Sequence, residues 1–371
     1  MTMLRQGGGS LVEDVVIVGG LLLVQCVLAG YVVFVDHLLS LGAHPLAVIA
    51  VAGAAFTAFF LPLAVALERK RWPSKVSWTL AVQFVLIALG GITVFQELML
   101  LGIKKTTPAV ASAMPNLGPG LIFIIAACFR LEKFDKACKY TQAKMLGTLV
   151  CLAGTMAMSF LQQSPSSSPA SADAFTAAAA AASASAESQK WPGSGGGGYH
   201  DWILGCSYLV GAVVVLSLVT VLQAATLAVF PAPLTLCSVT WAMGAAFTAA
   251  LQVAVEGRLD MGSPEIDATL VAGIVILGGV LSGAGIAFQT WSLGKKGPLF
   301  VSVFGPVQTV CSAILSAALL RQTLSLGSLA GIVLMFTGLY IVLWAKRNET
   351  TTSCSGHAVV DVEKLQAPLL S

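Results

Sequence analysis

Long apolar segments, separated by short polar breaks, dominate this chain. Ten of them are close to the roughly 20 residues that a helix needs to cross a hydrocarbon core of about 30 Å. None has the polar face that is typical of a soluble amphipathic helix. We predict membrane-spanning helices at residues 14–35, 45–67, 77–101, 108–129, 141–161, 202–222, 233–255, 268–290, 299–320 and 325–345. The pattern therefore predicts an all-α polytopic membrane protein with ten transmembrane helices.

The longest polar break separates the fifth predicted helix from the sixth. It is a low-complexity stretch rich in Ser, Pro, Ala and Gly, a composition typical of flexible linkers. The predicted organisation has five parts: an N-terminus at 1–13, a first five-helix half at 14–161, a linker at 162–201, a second five-helix half at 202–345 and a tail at 346–371.

The two halves share sequence. The string GAAFTA occurs at Gly53–Ala58 and again at Gly244–Ala249, in the second helix of each half. Further matches follow in the same order: Phe95-Gln96 with Phe288-Gln289, Lys104-Lys105 with Lys295-Lys296, and Pro115 with Pro306. Because five is an odd number, the second copy enters the membrane from the opposite side. Inverted repeats are the architecture of many secondary transporters. Duplication within a membrane protein that does not transport is the alternative explanation.

Composition and charge set the environment and the orientation. Hydrophobic residues make up 57% of the chain and charged residues 10%, against about 25% charged residues in an ordinary soluble domain. A bilayer is therefore the expected solvent, with lipid as a partner. The net charge of +3 is too small to indicate a nucleic-acid partner.

The basic residues are distributed unequally between the two sides. With the N-terminus in the cytosol, fifteen of them fall on the cytosolic side and five on the other. The positive-inside rule therefore predicts that both termini are cytosolic and that the linker lies on the opposite side.

The matched fourth and ninth helices carry the strongest indication of a site. Each has a proline in mid-membrane, Pro115 and Pro306. Proline leaves the carbonyl four residues earlier without its helical donor, which lipid tolerates only where something else satisfies it. Corresponding Gly/Pro breaks in two halves indicate a binding site between them. A kink that serves only packing is the alternative.

Polar side chains inside the apolar segments are few. We predict that Gln96, Asn116, Gln289 and Gln308 line a solute pathway, with hydrogen bonds between helices as the alternative role. Glu97 is the acidic residue well inside an apolar segment. A carboxylate there is costly unless it is paired or hydrated, so Glu97 is a candidate for proton coupling. Its position near the end of the predicted helix also allows a role at the interface with water.

Motifs of catalysis and cofactor binding are missing from the sequence. There is no G-x-S-x-G, no H-E-x-x-H and no G-x-x-x-x-G-K-[ST]. The eight cysteines form no C-x-x-C pair and there are four histidines, a pattern that favours neither a disulfide framework nor a metal site. We predict neither an enzyme nor a nucleotide-driven pump, and no metal or cofactor. No oligomeric state follows from the sequence.

Several stretches together resemble the plant walls-are-thin-related, nodulin-21-like family, in the EamA branch of the drug/metabolite transporter superfamily. They are FxLPLAVALERKRWP, GIKKTTPAVASAMPNLGPGLIFIIA, QAKMLGTLVCLAGT, FQTWSLGKKGPLFVSVFGPVQT and GSLAGIVLMFTGLYIVLW. The resemblance implies ten helices in two EamA repeats and bidirectional movement of amino acids or related organic acids, auxin included. It also implies the plasma membrane or the vacuolar membrane. Val51-Ala52 departs from the Tyr-Arg that many relatives carry in the second helix.

These observations converge on one functional prediction. The chain is expected to be a secondary transporter of small organic solutes that works by alternating access. The alternative is a transport-inactive membrane receptor or scaffold with the same fold.

Overall fold

The computed structural model describes residues 3–72, 77–106, 114–128, 139–161, 198–256, 267–320 and 326–351. Over these residues the chain is helical and contains no strand. The helices are α1 (Met3–Ser40), α2 (Pro45–Glu68), α3 (Trp78–Ala88), α4 (Phe95–Lys105), α5 (Gly118–Cys128), α6 (Lys139–Leu161), α7 (Gly198–Val229), α8 (Pro233–Glu256), α9 (Ala268–Gly273), α10 (Ser282–Lys296), α11 (Pro298–Ser302), α12 (Gly305–Leu320) and α13 (Leu326–Thr351). Two π-helical segments, Leu89–Val94 and Ile274–Leu281, join α3 to α4 and α9 to α10.

Seven helical stretches in the described ranges are long and apolar enough to cross a membrane. They are Glu13–Leu39, Pro45–Glu68, Trp78–Ile103, Trp202–Val229, Pro233–Ala254, Ala268–Lys296 and Pro298–Leu315. The predicted all-helical membrane protein is therefore confirmed. The other three predicted spans overlap α5, α6 and α13, and the total of ten stays a prediction. Most of the predicted linker lies outside the described residues, and its last positions already belong to α7.

Proline and glycine explain several helix boundaries. Pro45 and Pro298 stand at the start of α2 and α11, where the missing N–H costs nothing because it would have no helical partner. Gly297 has a φ of 89°, a left-handed conformation that glycine adopts without strain. It ends α10 and lets the chain enter α11 at once.

The two GAAFTA segments pack against each other, because α2 and α8 lie side by side. A Cβ placed on Gly53 would lie 3.0 Å from the Cβ of Ala245. Phe56 of the first copy stacks on Phe60 and lies 5.8 Å from the ring of Trp241, measured between centroids. The repeated string thus forms a contact between the two halves of the sequence.

The most extensive contact between helices joins α6 to α13 through glycines. A Cβ on Gly338 would lie 2.4 Å from the backbone nitrogen of Cys151, and one on Gly154 would lie 2.5 Å from that of Met335. Small residues that let two backbones approach this closely are a common basis of helix association in membranes.

We expect Gly338→Ala to destabilise the protein by about 1–3 kcal/mol, because the new methyl group would overlap the backbone of α6. The measurement is thermal unfolding of the purified protein in detergent. Gly30→Ala in α1 is the matched control, since a Cβ there meets no atom within 4 Å. Equal melting temperatures for the two variants would contradict the close packing of α6 and α13.

A buried carboxylate joins the end of α2 to the start of α8. Glu68 accepts hydrogen bonds from the backbone N–H groups of Leu234 and Thr235, at 3.2 and 2.7 Å, and from the Thr235 hydroxyl at 2.8 Å. The indole N–H of Trp72 donates to the same hydroxyl oxygen at 3.1 Å. The first N–H groups of a helix have no partner within it, and the helix dipole favours a negative charge there. Glu68 therefore acts as the cap of α8, and we call this contact the Glu68 cap.

Ion pairs lie at the same end of the bundle. Lys295, near the end of α10, pairs with Glu13 at 3.1 Å, and Lys296 pairs with Asp14. This end, where α1 begins and α2 and α10 finish, is called the basic end below.

We expect Glu68→Ala to lower the free energy of unfolding by about 2–3 kcal/mol, because hydrogen bonds to a charged group are lost and buried donors remain. Glu68→Gln keeps one carbonyl acceptor and should fall between Ala and wild type. Glu13→Ala removes an exposed pair and should cost less than about 1 kcal/mol. Thermal unfolding in detergent ranks the three, and an equal loss for Glu13→Ala and Glu68→Ala would argue against the cap.

Candidate functional site

A cavity of about 490 Å³ lies inside the bundle, and we call it the central cavity. Its walls come from α1, α3, the Leu89–Val94 segment, α4, α5, α7, α8, α10, α11 and α12, together with Pro115 just before α5. The polar part of the lining consists of amides and hydroxyls: Gln25, Thr220, Gln223, Thr240, Gln289, Thr290, Ser302 and Gln308. Among the described residues no charged side chain lines it. The cavity therefore offers hydrogen bonds without a formal charge.

Pro306 stands beside a break in the helix that carries it. The helix is interrupted between Ser302 and Gly305, which separates α11 from α12. Since proline has no N–H, the Ser302 carbonyl lacks the helical donor it would otherwise have four residues later. Both Ser302 and Pro306 line the central cavity. The break in the helix therefore lies at the cavity wall.

Each of the two π-helical segments contains a pair of glycines that packs against a neighbouring helix. Gly91 lines the central cavity and packs against Val219. A Cβ placed on Gly91 would lie 2.9 Å from Cγ1 of Val219. Gly279, in the second segment, packs against α2, and a Cβ placed on it would lie 2.5 Å from the Cβ of Ala55. Single π-helical turns inside α-helices are frequent at functional sites. Here they precede the predicted pathway residues Gln96 and Gln289.

A second, smaller cavity of about 150 Å³ adjoins the first, and we call it the side pocket. Its wall is formed by α1, α2, α4, α8, the Ile274–Leu281 segment and the first residues of α10. Aromatic rings of Tyr31, Phe56 and Trp241 form much of its wall. Trp241 and Ile286 line both cavities, so the two are neighbours separated by these side chains.

The structure brings most of the predicted site residues together. Pro115, Gln289, Pro306 and Gln308 lie in the wall of the central cavity. Gln96 lies in the side pocket instead. A role of these residues in contacting a solute stays a prediction.

Two predicted residues are placed differently. Glu97 is partly buried in α4 and lines neither cavity. The side chain of Asn116 lies outside the described part of the structure. Ala52, in the Val51-Ala52 departure, lines the side pocket.

Sequence reasoning missed the contribution of α7 and α8 to the cavity. Gln223 donates a hydrogen bond to the Thr290 hydroxyl at 3.4 Å, and that hydroxyl donates to the carbonyl of Ile286 at 2.9 Å. The Cys237 thiol also contacts the Thr290 oxygen, at 2.8 Å. The isolated Gln223 within an apolar segment was the available signal, because an amide in hydrocarbon needs a partner or a cavity.

Three of the buried polar atoms without a hydrogen-bond partner in the described part of the chain line a cavity: Oε1 of Gln25, Oε1 of Gln96 and Oγ of Ser282. Gln25 lines the central cavity, and the other two line the side pocket. Buried polar atoms in folded proteins are almost always paired with protein or water. These atoms therefore identify where the interior is arranged to meet something other than itself.

A cavity that carries uncharged polar groups among apolar helices of membrane-spanning length is typical of a membrane transporter, and the comparisons with known proteins agree. The EamA-like transporter family model matches residues 203–344. Two WAT1-related proteins of Arabidopsis thaliana are 40% identical over 341 residues and 41% identical over 334. Those alignments cover 92% and 90% of this chain, and 88% and 89% of the relatives. The Arabidopsis protein WALLS ARE THIN 1 is 32% identical over 78% of this chain and 72% of its own.

The chain therefore belongs to the plant WAT1-related family of EamA-type membrane transporters, and is not an enzyme. A crystal structure of a protein with 19% sequence identity matches it with a TM-score of 0.61, over 91% of this chain and 99% of that one. At this identity the likeness concerns the fold alone.

Proposed function

We propose that this protein is a secondary transporter of small organic solutes, specifically amino acids or related organic acids such as auxin, in the plasma membrane or the vacuolar membrane. The central cavity is the observation that carries the proposal. Its volume of about 490 Å³ falls within the roughly 300–1,000 Å³ of small-molecule sites. A cavity of this size within apolar helices serves a solute that must leave water to cross.

The lining has the chemistry for such a solute. Amide and hydroxyl groups both donate and accept hydrogen bonds, so they match a carboxylate on one side of a solute and an ammonium group on the other. Gln25 has an acceptor oxygen with no partner among the described residues, and Gln289 and Gln308 approach from two other helices. Fixed donors and acceptors of this kind replace the water that the solute loses.

Alternating access is the proposed mechanism, with two inverted five-helix halves that move against each other. An apolar cluster of Ile87, Leu227, Leu236 and Leu293 adjoins the central cavity, whose wall includes Ile87 and Leu293. The Glu68 cap and the lysine pairs lie at the basic end. We assign the basic end to the cytosol, in keeping with the positive-inside rule. Both termini would then lie on the cytosolic side.

We expect Gln289→Leu to reduce saturable uptake of radiolabelled amino acids into proteoliposomes by about tenfold, the effect of losing one good hydrogen bond to a charged group. Gln83→Leu is the matched control, since Gln83 is a half-buried residue of α3 that lines neither cavity. Equal uptake by the two variants would remove Gln289 from the pathway. Absence of wild-type flux for a broad solute panel at several pH values would instead favour the transport-inactive alternative.

Proton coupling through Glu97 is a separate part of the proposal, motivated by a carboxyl group within an apolar helix. We expect uptake to increase with an inward proton gradient, and Glu97→Gln to abolish that increase while uptake without a gradient persists. The measurement is uptake into proteoliposomes with and without an imposed pH difference. Uptake that ignores the gradient in wild type and persists in Glu97→Gln rules out this role.

A further inference from the structure

The side pocket has the size and surface of a site for a ring. Its volume is about 150 Å³, and an apolar protein cavity of about this volume is large enough to hold benzene. Tyr31, Phe56 and Trp241 give it flat aromatic walls, which favour offset or edge-to-face contact with another ring. Small residues of the wall keep this space open, because Ala52 and Gly278 stand where larger side chains would fill it.

Two residues of this largely apolar wall carry a buried polar atom without a partner. Oε1 of Gln96 and Oγ of Ser282 have no hydrogen-bond partner in the described residues, and the side chains are only 9% and 2% exposed. An amide oxygen can only accept, whereas a hydroxyl can donate or accept. The pocket is thus suited to an apolar group that carries a single hydrogen-bond donor.

The position of the pocket links it to the central cavity. Trp241 and Ile286 face both spaces. If the polar head of a solute lay among the amides of the central cavity, its apolar portion would reach the side pocket by passing Trp241 and Ile286. The two cavities are therefore adjacent, and the central one carries most of the amide and hydroxyl groups.

We propose that the side pocket is a subsite that receives the ring of an aromatic solute while the polar head of that solute lies in the central cavity. Gln96 and Ser282 accept a hydrogen bond from a donor on the ring, and the volume left open by Ala52 sets the largest side chain that enters. The inference rests on the proposed transport function and names the specificity determinants of that site.

The test compares uptake of radiolabelled alanine, phenylalanine and tyrosine into proteoliposomes. Ala52→Leu fills the pocket and should lower the ratio of phenylalanine to alanine uptake by about tenfold, the cost of a ring that no longer finds its apolar site. Ala54→Leu is the matched control, because Ala54 lies on the same helix, is exposed and lines neither cavity. It should keep the wild-type ratio.

Two further variants keep the test independent of folding defects in Ala52→Leu. Ile49→Ala enlarges the pocket and should raise the ratio of naphthylalanine to phenylalanine uptake. Gln96→Leu removes the acceptor and should raise the KM for tyrosine several-fold relative to the KM for phenylalanine.

The outcomes separate the two proposals. Wild-type uptake with ratios that Ala52→Leu, Ile49→Ala and Gln96→Leu leave unchanged overturns the subsite and leaves the transport function standing. Such a result would assign the pocket to a lipid chain or to packing. Absence of wild-type uptake for all the amino acids overturns both.

Discussion

Inside a bilayer, a polar group that does not find a partner within the protein stays unsatisfied, and this constraint decides where polar side chains stand in the molecule. Hydroxyl groups find a partner within their own helix. Thr57, Ser217 and Thr226 each donate to the carbonyl four residues earlier on their own helix, at 2.7–2.8 Å. A glutamine side chain cannot pair both its amide oxygen and its amide nitrogen with the backbone of its own helix. The glutamines of α1, α7, α10 and α12 accordingly meet around the central cavity.

The same constraint explains why the helices pack through small residues. Lipid is as apolar as leucine, so helices gain little from burying apolar surface against each other and depend on close contact. The α6–α13 pair achieves this contact with glycines, and the α2–α8 pair does so with the repeated GAAFTA string. The buried carboxylate of Glu68 accepts its hydrogen bonds from the start of another helix.

The sequence was sufficient for the all-helical membrane fold, and it selected four residues that lie in the wall of the central cavity. Helix length follows from bilayer thickness, and a mid-membrane proline such as Pro306 leaves a backbone group that needs a cavity, so both signals are local. The same reasoning chose Gln289 and Gln308, which reach the cavity wall, and Glu97, which does not. Gln96 and Glu97 are adjacent in sequence, and only the rotation of α4 after the Leu89–Val94 segment decides which of them faces inward.

The side pocket could not have been predicted from the sequence, because it depends on how five parts of the chain meet. The sequence contains the glycine pairs Gly90-Gly91 and Gly278-Gly279, but a glycine pair by itself does not specify a π-helical turn. In the sequence, Ala52 is distinguished only by the Val51-Ala52 departure from the Tyr-Arg of many relatives. Its role as part of a wall depends on Tyr31 and Trp241, which approach it from other helices.

Helix α8 carries two of the features described above. Thr235, which Glu68 holds, and Trp241, which divides the two cavities, are separated by six residues, about 9 Å along one rigid rod. A movement of Trp241 along the helix axis is therefore also a movement of the end that Glu68 holds. Under the proposed alternating access, solute binding and the opening of the basic end would share one coupling free energy, because a solute that favours one position of α8 changes the Glu68 contact by the same amount. An empty transporter and a loaded one would then differ in how readily the basic end opens.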